Sequence, residues 1–278
     1  MPLARAKINL WLNVVGRRAD GFHLLDSLVA FTDLADEIEV GSASDLSLEI
    51  VGPAAAELQG DTDNLVLKAA RLLADRAGVA PRAALRLTKR VPVAAGLGGG
   101  SADAAATLLA LVDLWRVAMP QEELFDLAAT LGADVPMCLA GRPALATGIG
   151  ERLAPAPTLP ACAILLVNPG VALPTPAVFG ARRGGFSSAA PLGNGWRGLG
   201  EFAGDLARRG NDLTAAAISL QPEIADVLDR LRRSDGVAHA AMSGSGATCF
   251  GLYGSIEEAR HAASLLPASW WRHAGRLV

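Results

Sequence analysis

Polar and apolar residues alternate cleanly from Ala6 to Val14, with Ile8, Leu10, Leu12 and Val14 on one face and Lys7, Asn9, Trp11 and Asn13 on the other. That period of two predicts a half-buried strand. Leu24–Phe31 and Glu37–Val40 read as two further strands, and Leu46, Leu48 and Ile50 mark another. Leu85 and Leu87 alternate with Arg86 and Thr88 in a strand that runs out at Arg90-Val91-Pro92. The period then lengthens. Leu65, Ala69, Leu72 and Leu73 follow Asp61-Thr62-Asp63-Asn64, a set of N-cap candidates, and predict a helix. Ala104, Leu108, Leu111, Val112 and Trp115 predict an amphipathic one. Leu124, Leu127, Ala128 and Leu131 predict a third, opened by Pro120-Gln121-Glu122-Glu123 and closed by Gly132.

The texture changes between Pro143 and Pro160, where Gly148-Ile149-Gly150 and four prolines suit a domain crossing. Ala161–Val167 is a continuous apolar run of buried-strand length, and Arg182–Gly200, rich in Gly, Ser, Ala and Arg, reads as a long surface loop. Helices are expected from Asn211-Asp212-Leu213 and from Pro222-Glu223, then strands at Val237–Met242 and Thr248–Tyr253 around Ser243-Gly244-Ser245-Gly246-Ala247. A helix over Ile256–Leu265 and a strand over Trp270–Val278 complete a small α+β sandwich.

Composition narrows the class. The chain of 278 residues is 51% hydrophobic and 19% charged, enough for a substantial core and too apolar for disorder. A net charge of −3 with no basic block offers nothing to nucleic acid or to an anionic membrane. Cys138, Cys162 and Cys249 are distant from one another and set in apolar runs, so they read as reduced core residues. With no apolar leader at Met1-Pro2-Leu3-Ala4-Arg5 and no membrane-length apolar run, the expectation is a cytoplasmic protein.

The candidate chemistry centres on Pro92-Val93-Ala94-Ala95-Gly96-Leu97-Gly98-Gly99-Gly100-Ser101-Ala102. Strand, glycine loop and helix N-terminus is the arrangement in which free amide N–H groups and the helix dipole converge on a phosphate. It is not a Walker loop, because no lysine lies between Gly96 and Ser101. The dinucleotide pattern G-x-G-x-x-G also fails, since Ser101 stands where the third glycine belongs. A plain glycine turn satisfies the same residues. Three other features have equally ordinary readings beside a functional one. Lys7 and Asn9 form either a solvated strand face or part of a site; Phe22-His23 is either a loop-edge pair or a ligand contact; Asp134 is either a helix N-cap ahead of Pro136 or a catalytic carboxylate.

Ala6-Lys7-Ile8-Asn9-Leu10, the Pro92–Ala106 loop and Met242-Ser243-Gly244-Ser245-Gly246-Ala247 resemble, in order and spacing, the three motifs of the GHMP kinases, the galactokinase, homoserine, mevalonate and phosphomevalonate kinase superfamily. Arg18-Ala19-Asp20-Gly21-Phe22-His23, Leu131-Gly132-Ala133-Asp134-Val135-Pro136 and Pro169-Gly170 through Thr175-Pro176 resemble a narrower family, the 4-diphosphocytidyl-2-C-methyl-D-erythritol kinases. The resemblance implies a two-domain α+β fold: a ribosomal-protein-like N-terminal domain and a ferredoxin-like C-terminal domain, with the active site in the cleft between them. Residues 1–148 and 149–269 would be these domains, with 270–278 returning to the first.

The resemblance also implies an ATP-dependent kinase acting on the 2-hydroxyl of a cytidine diphosphate-linked methylerythritol in non-mevalonate isoprenoid synthesis. Residues 92–102 would bind ATP, with Asn64 and Lys89 near the adenine, and Ser101 would offer its hydroxyl to phosphate or Mg²⁺. Asp134 would accept or orient the proton of the attacking hydroxyl, and Lys7 beside it would stabilise transferred charge. Asn9, Ser243 and Gly244 would contact the substrate, with His23 on the pyrimidine edge, Phe22 and Phe179 sandwiching the base, and Thr175 lining the same pocket. Phe22 stands where that family more usually has tyrosine, which keeps the stacking surface and removes a phenol. Two rivals predict different residues. A homoserine- or mevalonate-type kinase has no use for His23 and Phe179, and an inactive binding relative would have lost Lys7, Ser101 or Asp134. Monomer and homodimer fit the sequence equally.

Overall fold

The structure is a computed structural model and describes residues 2–58, 64–189, 192–193 and 195–278. Asp61, Thr62 and Asp63, candidates for capping the first helix, lie outside the described residues. The chain packs as two units, and neither is a continuous segment.

The first unit draws its described residues from 2–7, 34–93 and 98–142. It contains the start of β1 (Leu3–Arg17) and the end of β2 (His23–Gly41). The sheet is continued by β3 (Leu46–Val51) and β4 (Ala83–Thr88). β4 runs antiparallel to β2, Glu37 facing Thr88 and Gly41 facing Ala84, and parallel to β3. Its helices are α1 (Leu65–Ala77), α2 (Gly99–Trp115), α3 (Gln121–Leu131) and the short α4 (Val135–Ala140). Val66, Ala69 and Leu73 of α1 meet Leu85 and Leu87 of β4 and the alanine-rich face of α2 in one core.

The second unit takes residues 8–33, 94–97 and 143–278. The first half of β2 pairs antiparallel with β5 (Ala144–Gly148), which turns back as β6 (Arg152–Pro155). The proline-rich stretch after Pro143 is therefore largely a hairpin, turned at Gly148 and Gly150, both at positive φ. Next come β7 (Ala163–Asn168), α5 (Thr175–Ala181), α6 (Leu199–Arg209), α7 (Thr214–Leu220) and α8 (Glu223–Arg232). The chain closes with β8 (Val237–Met242), β9 (Cys249–Tyr253), α9 (Ile256–Ser264) and β10 (Trp271–Arg276). These four strands form an antiparallel sheet in the order β10-β7-β9-β8, the ferredoxin-like arrangement. Past β10, Leu277 bridges to Thr32 and the Val278 N–H donates to the Phe31 carbonyl.

Three expectations are corrected. β1 is buried on both faces, Lys7, Asn9, Trp11 and Asn13 included, because the chain folds over its polar side as well. Leu24–Phe31 and Glu37–Val40 are one 19-residue strand; the polar residues between them read as a break, yet the backbone runs straight through. α2 is not amphipathic but buried from Ala102 to Leu108, since alanine lets its neighbours close in on every side. Two helices were not anticipated: α5, where Leu173-Pro174-Thr175-Pro176 reads as a turn, and α6, which begins at Leu199 inside what reads as loop. No helix among the described residues is long and apolar enough to cross a membrane.

Candidate active site

In the first unit, β4 delivers the chain to the glycine loop and α2 takes it away. Gly98 occupies the N-cap position of α2 at φ +65°, in the left-handed region that side chains resist. A Cβ there would also lie 2.6 Å from Lys7 Cγ, so the missing side chain makes room for the lysine stem. Gly100 is different. It is exposed, and a Cβ would meet only Leu65 Cδ1 at 3.5 Å, so nothing in the fold itself demands glycine. Ser101 stands half-buried in the same first turn, where unpaired amide N–H groups collect.

Lys7 reaches past this turn to Asp134, Nζ to Oδ2 at 3.2 Å, the lysine side chain 9% exposed and the aspartate 38%. Asp134 does occupy the N-cap position of α4, with Pro136 in the first turn, but its carboxylate makes no cap hydrogen bond. The pair therefore presents a buried cation and an accessible carboxylate side by side.

Lys89 and Asn64 also belong to this unit. Lys89 is buried, its ammonium between Asp36 and Asp103 at 2.5 and 2.7 Å, a cluster not legible from local sequence. Asn64 is buried and caps α1, its Oδ1 accepting from the Val66 N–H at 2.9 Å.

In the second unit the other glycine turn follows β8. The Asn9 backbone N–H donates to Ser243 Oγ at 3.1 Å, and Asn9 Nδ2 donates to Ser27 Oγ at 2.9 Å. Gly244 sits at φ +57°, and a Cβ there would come within 3.1 Å of Asn9 Oδ1. Asn211, just before α7, holds the turn by donating from Nδ2 to the carbonyls of Met242 and Gly244 at 2.9 and 2.8 Å. Thr175 pairs with Ser245, hydroxyl to hydroxyl, at 2.8 Å. Loop residues 94–97 pack on the same turn: Thr248 Oγ1 donates to the Ala95 carbonyl at 2.6 Å, and a Cβ on Gly96, at φ +77°, would collide with the Gly246 carbonyl. Ser27, Asn211 and Thr248 were not singled out as site residues by the sequence, because each reads there only as part of a strand or a helix start.

His23 and Phe179 stack on each other, centroids 5.0 Å apart and planes 23° from parallel. Phe22 is 58% exposed. Phe179 thus has the imidazole against its ring, and Phe22 leaves its own ring open to solvent. Burial, then the positive charges of Arg17 and Arg182, hold the His23 pKa below its usual value. Among the described residues no group of three or more His, Cys, Asp or Glu side chains could hold a metal.

Comparison with known proteins extends these observations to the whole chain. Residues 64–142 match the GHMP kinases N terminal domain and residues 189–268 the GHMP kinases C terminal family. A 4-diphosphocytidyl-2-C-methyl-D-erythritol kinase of Paramagnetospirillum magneticum is 54% identical over 99% of this chain and 97% of its own. The Rhodospirillum rubrum protein of that name is 52% identical over 99% of this chain and 91% of its own. A crystal structure of 4-(cytidine 5'-diphospho)-2C-methyl-D-erythritol kinase superposes with a TM-score of 0.83 at 41% identity, covering 99% of this chain and 98% of that one.

Proposed function

The chain belongs to the GHMP kinases and, within them, to the 4-diphosphocytidyl-2-C-methyl-D-erythritol kinases, and on that footing we propose that it moves the terminal phosphoryl group of ATP to the 2-hydroxyl of 4-diphosphocytidyl-2-C-methyl-D-erythritol, a step of non-mevalonate isoprenoid precursor synthesis. The observation that carries the mechanism is the Lys7–Asp134 pair at 3.2 Å, with the lysine stem lying against Gly98 at the start of the phosphate loop. Phosphoryl transfer asks a protein mainly for positioning and charge stabilisation.

In this reading the amides from Gly96 to Ser101 hold the phosphates, and Asn64 and Lys89 border the adenine side. Asp134, the exposed member of its pair, orients the attacking hydroxyl and takes its proton; Lys7 balances charge on the phosphoryl group in flight. Mg²⁺ supplies charge neutralisation when bound. The Ser101 hydroxyl, half-buried in the first turn of α2, would be the chain's own ligand to it. Asn9, Ser243 and Gly244 hold the substrate near its reacting hydroxyl, Thr175 lines the pocket, and His23, Phe179 and Phe22 read the cytosine. Three free thiols suit a reducing cytoplasm.

The rival kinases are less well supported: a homoserine kinase from Cytophaga hutchinsonii is 18% identical at a TM-score of 0.69, which speaks to fold alone. The test is ATP-coupled turnover of 4-diphosphocytidyl-2-C-methyl-D-erythritol by the wild type and by Asp134→Ala. Turnover that collapses in the variant is expected. A wild type that binds ATP and leaves this substrate untouched would overturn the assignment.

A further inference from the structure

Beneath the glycine loop lies an ion cluster in which Lys89 is joined by two carboxylates, Asp36 and Asp103, that have no part in the reaction described above. Lys89, 2% exposed, places its ammonium 2.5 Å from Asp36 Oδ2 and 2.7 Å from Asp103 Oδ2. Asp36 is fully buried on β2, and its second oxygen accepts from the backbone N–H groups of Arg90 and Val91 at 2.5 and 2.8 Å. Asp103, also buried, lies in the second turn of α2. One carboxylate on β2 therefore grips the chain just before the loop and, through Lys89, the helix just after it. A Cβ on Gly99 would lie 2.9 Å from Lys89 Nζ, so the ammonium stands directly behind the first helical residue.

Burying two carboxylates with one ammonium is a poor way to gain stability, because desolvation offsets the attraction. Asp103 Oδ1 has no hydrogen-bond partner in the structure, and the surplus acid shows in its carboxyl, pushed up to about 8 by burial, with Asp36 adding to the rise and Lys89 opposing it. The other titratable group facing Asp103, from α4, is the Cys138 thiol, itself held protonated by burial and by Asp134, and touched also by the charge of Lys7.

We infer that Asp36 and Asp103 are positioning residues for ATP: through Lys89 and the Arg90 and Val91 amides they clamp both ends of the glycine loop and so hold its amides in place for the phosphates. This rests on reading that loop as the phosphate site.

The experiment measures kcat and KM for ATP at neutral pH in wild type, Asp36→Asn, Asp103→Ala and Gly100→Ala. Asn at 36 can still accept from the Arg90 and Val91 amides but loses the ionic link to Lys89, and Ala at 103 removes the hold of the helix on Lys89. Each should raise KM for ATP about tenfold with kcat within about twofold. A folded Asp36→Asn or Asp103→Ala with unchanged KM overturns the inference. Should one of the two fail to fold, the other decides. Gly100→Ala separates the two readings, since its methyl disturbs nothing in the fold. If it leaves ATP affinity intact, the loop is not the phosphate site. If it weakens ATP while the acid variants behave as wild type, only the clamp is wrong.

Discussion

Asp134 stands where a helix cap belongs and yet gives its carboxylate to Lys7, 3.2 Å away, leaving the α4 amides without it. A partly exposed pair of this kind contributes about 0–1 kcal/mol to stability. Asp134→Asn should therefore lower turnover by about 100-fold or more while shifting the melting temperature by less than about 3 °C. Parallel thermal unfolding and turnover measurements check this. A variant that melts far lower, with activity lost in proportion, would make Asp134 a structural residue.

Gly98 and Gly96 are both at positive φ, but what blocks a side chain differs. At Gly98 the obstacle is the flexible stem of Lys7, and at Gly96 it is the backbone carbonyl of Gly246, which cannot swing aside. Gly98→Ala should cost about 1–2 kcal/mol, with turnover suppressed as the lysine is displaced. Gly96→Ala should cost more, about 2–4 kcal/mol, because backbone on both sides must shift. Denaturant midpoints rank the two, and the reverse order would show the Gly246 turn to be the more yielding.

The His23 pKa is lowered by burial and by Arg17 and Arg182, so the ring is neutral at pH 7, with one nitrogen donating and the other accepting. KM for the cytidine-linked substrate should be level from pH 8 to about 6.5 and rise only below, as the ring gains its second proton. Arg17→Gln removes one of the repelling charges, so the rise should begin at higher pH. A break that moves lower, or not at all, would remove Arg17 from that role.

His239, on β8, is half-buried and neutral, its pKa lowered to about 4, mostly by desolvation and partly by Arg232, and its Nε2 has no partner in the structure. The unfolded chain takes up this proton near pH 6.5 and the folded one only near 4. The unfolded state thus binds more protons in that window. Stability is intact above 6.5, falls as the pH drops toward 4, and levels off below, by about 3 kcal/mol in all. His239→Gln should flatten that part of the pH–stability curve, measured by urea unfolding. An unchanged slope would place the acid sensitivity elsewhere.

Periodicity located most strands and helices because each has one dominant repeat. It failed where burial is complete. Lys7 and Asn9 carry the polar pattern of a solvated face, but β1 is covered on both sides, and local sequence carries no trace of what covers it. The glycine loop that opens α2 was legible because it is written in consecutive residues, Gly96 to Ser101. Asp36, Asn211 and Ser27 were not, because their roles depend on partners up to 55 residues away, as in the Asp36 bonds to Lys89, Arg90 and Val91, or on a distant turn. The stacking of His23 on Phe179 was not legible either, because the two are far apart in the chain.

The helix behind the phosphate loop is packed on alanine: Ala102, Ala104, Ala105, Ala106 and Ala110 are all buried. Any larger side chain at these places overfills a closed space, at about 1–3 kcal/mol each. Asp134, partly exposed, carries no such penalty. Across generations, selection for a folded protein alone would hold α2 nearly constant and leave Asp134 free to drift. An unchanging α2 in a distant relative is thus testimony to folding, and, on the mechanism proposed above, the trace of lost catalysis would be found at Asp134, where change costs the fold least.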